Sequence, residues 1–354
     1  MSKVDVFLDH TAEWLRGGDA DSNIVVSSRI RLARNIEGYP FIQRLKDDDR
    51  KEIIRLVSEA LQKISQTRDL YYLQKADMSD LDLLFLVERH LISREHAAEQ
   101  AEKAVAISPN EVMSMMVLEE DHLRIQAFQS GFQLMETWRI INQIDAELQK
   151  RMQFSFDPVL GYLTACPTNV GTGMRASCML HLPSLVLTKQ VHKVLQALSK
   201  LNLAARGLYG EGTQATGNFF QISNQMTLGQ PEEEMIDNLV SVIRQIIEHE
   251  KEAQVYLKEQ KQQKFLDQVW RALGTLKSAR IISSVEAMQL LSLTQLGIQT
   301  GVIQSQISRQ DLFALFLLIQ PAHLQKLAGK PLSSAERDLY RADLVRERLR
   351  KLSL

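Results

Sequence analysis

The stretch Ser27-Ser-Arg-Ile-Arg-Leu-Ala-Arg34 restricts the fold and the chemistry of this chain more than any other. Residues 24–28 have the alternating pattern of a strand that leads into it. Two residues apart on an extended chain, Arg29 and Arg31 project from the same face. Guanidinium groups bind phosphate oxygens bidentately. Each arginine alone could equally form a surface ion pair, but Arg29 and Arg31, together with Arg124, Arg175 and Arg206 beside Gly-rich turns, favour a polyphosphate site.

Three further segments are rich in charge and glycine where a plain core would be apolar. They are EEDHLR (119–124), CPTNVGTGMR (166–175) and RGLYGEGT (206–213). Alternating runs next to them predict strands at 114–118, 123–129, 177–182 and 219–226, and helical spacing predicts helices at 47–64 and 190–203. Residues 1–255 therefore form a mixed domain of helices and strands, whose strand termini bring several arginines into one cleft.

The pattern changes from residue 231 onward. No Pro or Gly interrupts residues 232–273, which predicts one long helix or two joined helices, and later breaks are expected near Gly274 and Gly297. We interpret residues 256–354 as an all-helical second domain. The charge changes as well: residues 1–255 contain 27 basic and 35 acidic side chains, and residues 256–354 contain 15 and 8. This asymmetry suggests separate tasks for the two domains.

Composition excludes several classes of protein. Lys plus Arg total 42 and Asp plus Glu total 43, so no overall field favours direct binding of nucleic acid or a membrane. Two cysteines, Cys166 and Cys178, cannot build a disulfide framework or a zinc site. We therefore expect a cytoplasmic protein. The Gly171-Thr-Gly173 loop lacks the Lys-Ser/Thr of a P-loop, and protein-kinase signatures are missing from the sequence.

The four segments together resemble the signature blocks of the phosphagen kinases. SSRIRLAR, EEDHLR, CPTNVGTGMRAS and RGLYGEGT, followed by FQISN, occur in that family's order over residues 24–250. Those enzymes transfer the γ-phosphoryl group of ATP to a guanidino nitrogen. The resemblance implies an α+β fold, with a curved, mostly antiparallel sheet flanked by helices and followed here by an all-helical C-terminal domain.

The resemblance also assigns roles to residues. Glu120 and Glu211 match the two carboxylates that grip and deprotonate the guanidinium, and Cys166 matches a reactive cysteine whose thiolate form nearby arginines would favour. The ATP-binding set that it implies is Ser27, Ser28, Arg29, Ile30, Arg31, His90, Arg124, Arg175, Ala176, Ser177, Arg206, Gly207 and Gly210. Mg²⁺ would arrive with ATP, so no metal site made by the protein is expected. Glu119 and Asp121 are expected to play supporting parts.

Two departures narrow the resemblance. Met179 stands where the family has a histidine after the Arg-Ala-Ser block, and the first block already begins at Ser27. We therefore expect no separate N-terminal helical domain and an open guanidino pocket that accepts an arginine within a protein. This combination is similar to the bacterial protein-arginine kinases. That resemblance implies protein substrates, a homodimer, an activator protein, and links to stress-gene repressors and the Clp protease system.

The C-terminal domain contains the motif RDLYRA at residues 337–342. Ser333 and Glu336 predict a capping box that opens a helix, on which Arg337 and Arg341 share one face. From spacing alone, a solvated terminal helix is the simpler interpretation. The motif is similar to the RDxxRA phosphoarginine-binding motif of the protein-arginine kinases, which assigns Arg337, Asp338, Arg341 and Ala342 to such a pocket. A kinase for small guanidines and a non-catalytic phosphoarginine-binding adaptor remain alternatives.

Overall fold

The computed structural model describes residues 2–8, 10–18, 21–207, 216–304 and 307–351. Within these ranges lie ten strands: β1 Val25–Arg34, β2 Tyr71–Gln74, β3 Ala104–Ile107, β4 Met113–Val117, β5 Leu123–Ser130, β6 Phe156–Asp157, β7 Gly161–Tyr162, β8 Met174–His181, β9 Leu203–Gly207 and β10 Phe219–Asn224. The helices of the same ranges are α1 Asp47–Gln62, α2 Asp80–Glu88, α3 Arg94–Ala98, α4 Leu134–Gln149, α5 Pro183–Leu187, α6 Val191–Lys200, α7 Glu232–Gln260, α8 Gln262–Ser278, α9 Ser284–Gln299, α10 Arg309–Leu318, α11 Pro321–Ala328 and α12 Ser334–Arg348.

An eight-stranded sheet forms the centre of the described part of residues 1–230. Among the described residues, eight strands pair in the order β2-β3-β4-β5-β1-β8-β10-β9, and each neighbouring pair is antiparallel. β6 and β7 form a separate hairpin. The expected α+β class with an antiparallel sheet is confirmed.

The central strand, β1, is longer than the sequence predicted. The expected strand ended at residue 28, but β1 continues to Arg34 because Ile30 and Leu32 alternate into the core while β5 and β8 pair along both edges. Several arginines were expected at strand termini, and this expectation is wrong for Arg29 and Arg31. Both lie in the middle of β1, while Arg124 and Arg175 are second in β5 and β8.

The two faces of the sheet have different partners. Ile30, Leu32 and their neighbours pack against α1, α4 and α7 in the largest apolar core. On the other face, Phe128, Met179 and Phe219 pack with Trp14 and with helices of the C-terminal region. The rest of that second face bears the arginines. The C-terminal helices thus cover one half of the face whose other half is polar.

The region after residue 231 is helical, as expected. The predicted stretch 232–273 is two helices, α7 and α8, which meet at the non-helical residue Lys261. Gly274 and Gly297 lie inside α8 and α9, so the breaks expected at these glycines are wrong. α7 runs through the boundary proposed at residue 255, and a division there stays a prediction. No helix in the described ranges is long and apolar enough to span a membrane.

Candidate active site

Five arginines meet on the polar half of the sheet. Cross-strand register places Arg31 of β1 directly opposite Arg175 of β8. Burial lowers the pKa of Arg31 well below its usual value, and the charges of Arg29, Arg175, Arg124 and Arg206 lower it further. These arginines are therefore close enough to repel one another. A cluster of buried like charges is stable only beside an anion or carboxylates.

Arg29 is held in place by its neighbours on the sheet. Its Nη2 donates a hydrogen bond to Oε1 of Gln126, and its guanidinium carbon lies 5.0 Å from the centre of the Phe128 ring. Burial lowers the pKa of Arg29 to about 10, against a smaller opposite effect of Glu119. The Nε atoms of Arg29 and Arg31 are buried without a hydrogen-bond partner in the described part of the chain. Donors of this kind fit phosphate oxygens.

An acidic loop borders the arginines between β4 and β5. Leu118 has a φ of +63°, and the amide of Glu119 bonds to the carbonyl of Asp121, which makes the turn tight. The Glu120 side chain is 42% exposed and pairs with Nη2 of Arg124. Burial lowers the pKa of Arg124, but Asp121, Glu119 and Glu120 raise it by more, so the net direction is upward. Glu120 is thus the carboxylate of this loop that is open to a ligand.

The carboxylate of Asp121 lies at the base of the acidic loop and joins several segments there. Its side chain is fully buried and accepts hydrogen bonds from Nδ2 of Asn35 (2.8 Å), the amide of Ala165 (2.7 Å) and Nε of Arg124 (2.9 Å). Asn35 also donates to the carbonyl of Leu163 at 3.0 Å. One carboxylate therefore ties the end of β1, an arginine of the cluster and the segment before Cys166 together.

Cys166 begins a short 3₁₀ turn, Pro167–Asn169, and is partly exposed. Its Sγ lies 3.1 Å from Oγ1 of Thr168. The following glycines are structural: at Gly173, φ is +63° and a Cβ would lie 2.7 Å from the carbonyl oxygen of Ala33. Only glycine lets this loop lie directly against β1. Cys178 is buried, and burial raises its pKa to about 12, in keeping with the structural role expected for it.

The predicted nucleotide-binding residues fall into groups. We call the side of the sheet that carries the five arginines the arginine face. Ser27 and Ser177 lie on it, whereas the side chains of Ser28, Ile30 and Ala176 point to the opposite face. Any contact of these three with a nucleotide would use the backbone. Gly207 ends β9, one residue after Arg206. Gly210 and the predicted catalytic residue Glu211 lie outside the described residues.

His90 lies beside the arginine cluster. It follows α2 with a φ of +61°, and its ring meets that of Trp14 edge-to-face at 5.0 Å. Burial lowers the pKa of His90 to about 3, with Arg29 and Arg94 contributing, so the ring is neutral. Trp14 was missed by the sequence interpretation, because nothing in its neighbourhood forecasts packing onto a residue 76 positions away. Met179 belongs to the apolar cluster beneath the C-terminal helices.

Arg337 and Arg341 of the C-terminal motif already donate hydrogen bonds to groups within the protein. The capping box is confirmed: Oγ of Ser333 accepts from the amide of Glu336, whose carboxylate accepts from the amide of Ser333. Arg341 is buried and donates to the carbonyls of Ile319 (2.8 Å) and Ile282 (2.9 Å) and to Asp338. Arg337 donates to the carbonyl of Leu332 and is less buried, and Ala342 is buried.

Comparison with known proteins decides the family. Residues 52–253 match the ATP:guanido phosphotransferase C-terminal catalytic domain, and residues 262–354 match the C-terminal domain of the protein-arginine kinase McsB. The chain belongs to the protein-arginine kinase family. It is 49% identical to the protein-arginine kinase of Symbiobacterium thermophilum over 96% of both chains. The corresponding enzyme of Bacillus cereus is 45% identical over 99% of both chains.

Solved structures show the same architecture. The catalytic region is similar to the duplicated taurocyamine kinase of Schistosoma mansoni with bound transition-state analogue components, at 28% identity and a TM-score of 0.60. That match covers 68% of this chain and 35% of the other. Lombricine kinase matches in fold, with a TM-score of 0.58 over 71% of both chains. The phosphagen-kinase fold expected from the sequence is confirmed. In this member of the protein-arginine kinase family, the sheet carries the arginines, the acidic loop brings Glu120 against Arg124, and Asp121 ties the residue before Cys166 to the same loop.

Proposed function

We propose that this chain transfers the γ-phosphoryl group of ATP to arginine side chains of proteins, with the arginine face as its nucleotide site. The observation that carries this proposal is the gathering of Arg29, Arg31, Arg124, Arg175 and Arg206 next to Glu120. Relatives of near-complete coverage bear the name protein-arginine kinase, which supports a protein substrate.

In the proposed reaction, a guanidino nitrogen of the substrate arginine attacks the γ-phosphorus. The bond from phosphorus to the bridging oxygen breaks, and ADP leaves with that electron pair. Because a guanidinium is protonated at neutral pH, its attacking nitrogen must lose a proton, which a carboxylate can accept. Glu120 is half exposed and stands at the edge of the arginine face, as such a base requires. We assign the second carboxylate to Glu211 from the resemblance alone.

The arginine face would act by electrostatics. Negative charge on the transferring phosphoryl group and on the leaving ADP is neutralised by fixed guanidinium groups, which need no reorganisation during the reaction. Arg29 and Arg31 have buried Nε donors to offer, and Arg124 is already oriented by Asp121. Mg²⁺ bound to ATP supplies further neutralisation and keeps most of its ligands as water and phosphate oxygens.

A substrate comparison tests the choice of acceptor. ADP release by the purified chain would be measured with casein and with free arginine at equal guanidino concentration, in ATP and Mg²⁺. We expect turnover with casein and little with free arginine. Turnover with free arginine alone would instead identify a small-guanidine kinase. No turnover with either, together with retained phosphoarginine binding, would identify an adaptor.

We further propose that Arg337, Asp338, Arg341 and Ala342 bind phosphoarginine. Arg341 is fixed by two carbonyls and by Asp338, and Arg337 lies one turn away on the same helix, which supports a rigid receptor for a phosphate. Calorimetric titration with phosphoarginine should show binding by the wild type and a loss in Arg337→Ala. Equal binding by both would contradict the pocket. A homodimer, an activator protein and links to repressors and the Clp system stay predictions from the resemblance, and a cytoplasmic location stays a prediction from composition.

A further inference from the structure

A chain of buried polar contacts joins the C-terminal helices to the arginine face. It begins at α11, an eight-residue helix. Among the described residues, the side chain of its N-cap residue, Gln320, accepts no hydrogen bond from the amides of the first turn. The carboxylate of Glu88 supplies that cap from α2: it accepts from the amides of Ala322 (2.7 Å) and His323 (3.0 Å). Two polypeptide segments more than 230 positions apart are thus joined at a helix N-terminus.

His323 strengthens the same joint. Its Nδ1 lies 2.7 Å from the carboxylate of Glu88, and its Nε2 lies 3.4 Å from Nη1 of Arg89. Since an arginine can only donate, Nε2 accepts and Nδ1 carries the proton donated to Glu88. Burial, with Arg89, holds the pKa of His323 well below its usual value, so this contact is a hydrogen bond of a neutral ring. Arg89 itself is buried and paired with Glu111.

Residues 89–91, which these contacts hold in place, lead directly to the arginine face. His90, the next residue, turns the chain with its positive φ, and its carbonyl accepts a hydrogen bond from Nε2 of Gln126 at 2.9 Å. The same Nε2 bonds to the carbonyl of Leu91 at 2.9 Å. These two carbonyls, together with Oγ of Ser114, orient the Gln126 amide so that its Oε1 points to Nη2 of Arg29.

We infer that Glu88 and His323 are positioning residues for nucleotide binding, acting through residues 89–91 and Gln126 on His90 and Arg29. This inference rests on the proposed nucleotide site. α11 belongs to the C-terminal helical region, so a change in the packing of that region reaches the nucleotide through this joint. Residues that only stabilise the fold would lower stability without changing nucleotide affinity.

A matched control exists in the same chain. Glu250 of α7 is also buried and caps another helix, accepting from the amides of Ser184 (2.8 Å) and Leu185 (2.9 Å). Burial raises the pKa of both Glu88 and Glu250 to about 7, against hydrogen bonds that lower it, so the two carboxylates have similar environments. Within the described part of the chain, Glu250 bonds to Ser184 and Leu185 of α5 and not to the segments that hold the arginine face.

The test uses the full chain and ADP with Mg²⁺ in calorimetry. We expect Glu88→Gln to weaken ADP binding about tenfold and to raise the KM for ATP more than it lowers kcat. Glu250→Gln should bind ADP within about twofold of wild type while losing similar stability in urea. His323→Phe should resemble Glu88→Gln, whereas His323→Asn, which keeps a donor near the position of Nδ1, should retain affinity.

The outcomes separate the two proposals. Wild type that fails to bind ADP overturns the nucleotide site itself. Wild type that binds, with Glu88→Gln within about twofold of Glu250→Gln, overturns the coupling alone. If Glu88→Gln does not fold, the pair His323→Phe and His323→Asn decides, and equal ADP affinity in that pair contradicts the inference.

Discussion

Arg31 and Arg175 face each other directly across the β1–β8 ladder, two like charges in a sheet position where opposite charges or apolar pairs are usual. Burial lowers the pKa of Arg31 most, and repulsion from Arg175 and the other three arginines lowers it further. Such an arrangement costs stability in the ligand-free protein. It is consistent with a site whose anionic ligand supplies the missing counter-charge.

Because Arg31 and Arg175 repel each other, removing one of the two charges should raise the stability of the protein and weaken ADP binding. Arg31→Met removes one of the facing charges and keeps an unbranched apolar stem, so the free energy of unfolding should rise by about 1 kcal/mol. ADP affinity should fall about 100-fold, because a buried charge-assisted phosphate contact is lost. Urea denaturation and calorimetry measure the two quantities. A variant that is less stable and still binds ADP would contradict the assignment.

Asp121→Asn tests whether this carboxylate, which joins the acidic loop to the segment before Cys166, matters for activity. The carboxylate accepts from Asn35, Ala165 and Arg124, and an amide cannot serve all three donors. We expect kcat to fall about 100-fold, because Cys166 and Arg124 lose their common anchor. Glu250→Gln, a change at another buried acid, whose carboxylate bonds to the amides of Ser184 and Leu185, is the control and should leave kcat within about threefold. Equal losses would show that Asp121 only supports the fold.

His181 predicts a pH dependence of stability. Burial, with a contribution from Arg309, lowers its pKa from 6.5 to about 3, and its Nε2 bonds to Ser292 of α9. Below pH 6.5, His181 binds a proton in the unfolded chain but stays neutral in the folded state. The free energy of unfolding therefore falls as the pH drops from 6.5 toward 3. One such group contributes up to about 1.4 kcal/mol per pH unit.

His181→Phe should therefore flatten the pH profile on the acid side. The ring packing against Phe219 can be kept, and Ser292 retains its bond from Asn218. The free energy of unfolding in urea would be measured from about pH 5 to pH 7.5. We expect a shallower fall in the variant than in wild type. Parallel profiles would mean that His181 is protonated in the folded state.

The two arginines of the C-terminal motif should differ in their effect on stability. Arg341→Ala leaves the carbonyls of Ile282 and Ile319 without this donor, which should cost about 3 kcal/mol of unfolding free energy. Arg337→Ala removes a more exposed side chain and should cost less than about 1 kcal/mol. Urea denaturation compares them. Similar costs would contradict the structural role of Arg341 and would leave both as ligand-binding groups.

The local sequence pattern predicted much of the arginine face. The spacing of Arg29 and Arg31 placed both on one face of a strand, and the register of β1 with β8 and β5 then brought Arg175 and Arg124 beside them. Contacts between distant segments were not forecast. The bond from Ala165 to Asp121 and the edge-to-face contact of Trp14 with His90 depend on how loops close, which no local spacing encodes.

Glycine positions show the same limit. Gly297 was expected to break a helix, yet it lies within α9. A Cβ at this position would come 2.3 Å from Cγ1 of Val269 on α8, so the close packing of the two helices requires glycine here. The residue permits two helices to approach closely, and this requirement outweighs its low helix propensity. The strands Tyr71–Gln74, Ala104–Ile107 and Leu203–Gly207 were missed because they are too short to show a clear period.

Phosphoarginine formation on casein, measured by mass spectrometry under non-acidic conditions, tests the central claim most directly. Wild type, Glu120→Gln and Arg31→Met would be incubated with ATP and Mg²⁺. The arginine face with its bordering carboxylate predicts phosphoarginine with wild type and a loss of about 100-fold or more in each variant. Equal phosphoarginine yields from wild type and Glu120→Gln, or from wild type and Arg31→Met, would contradict it.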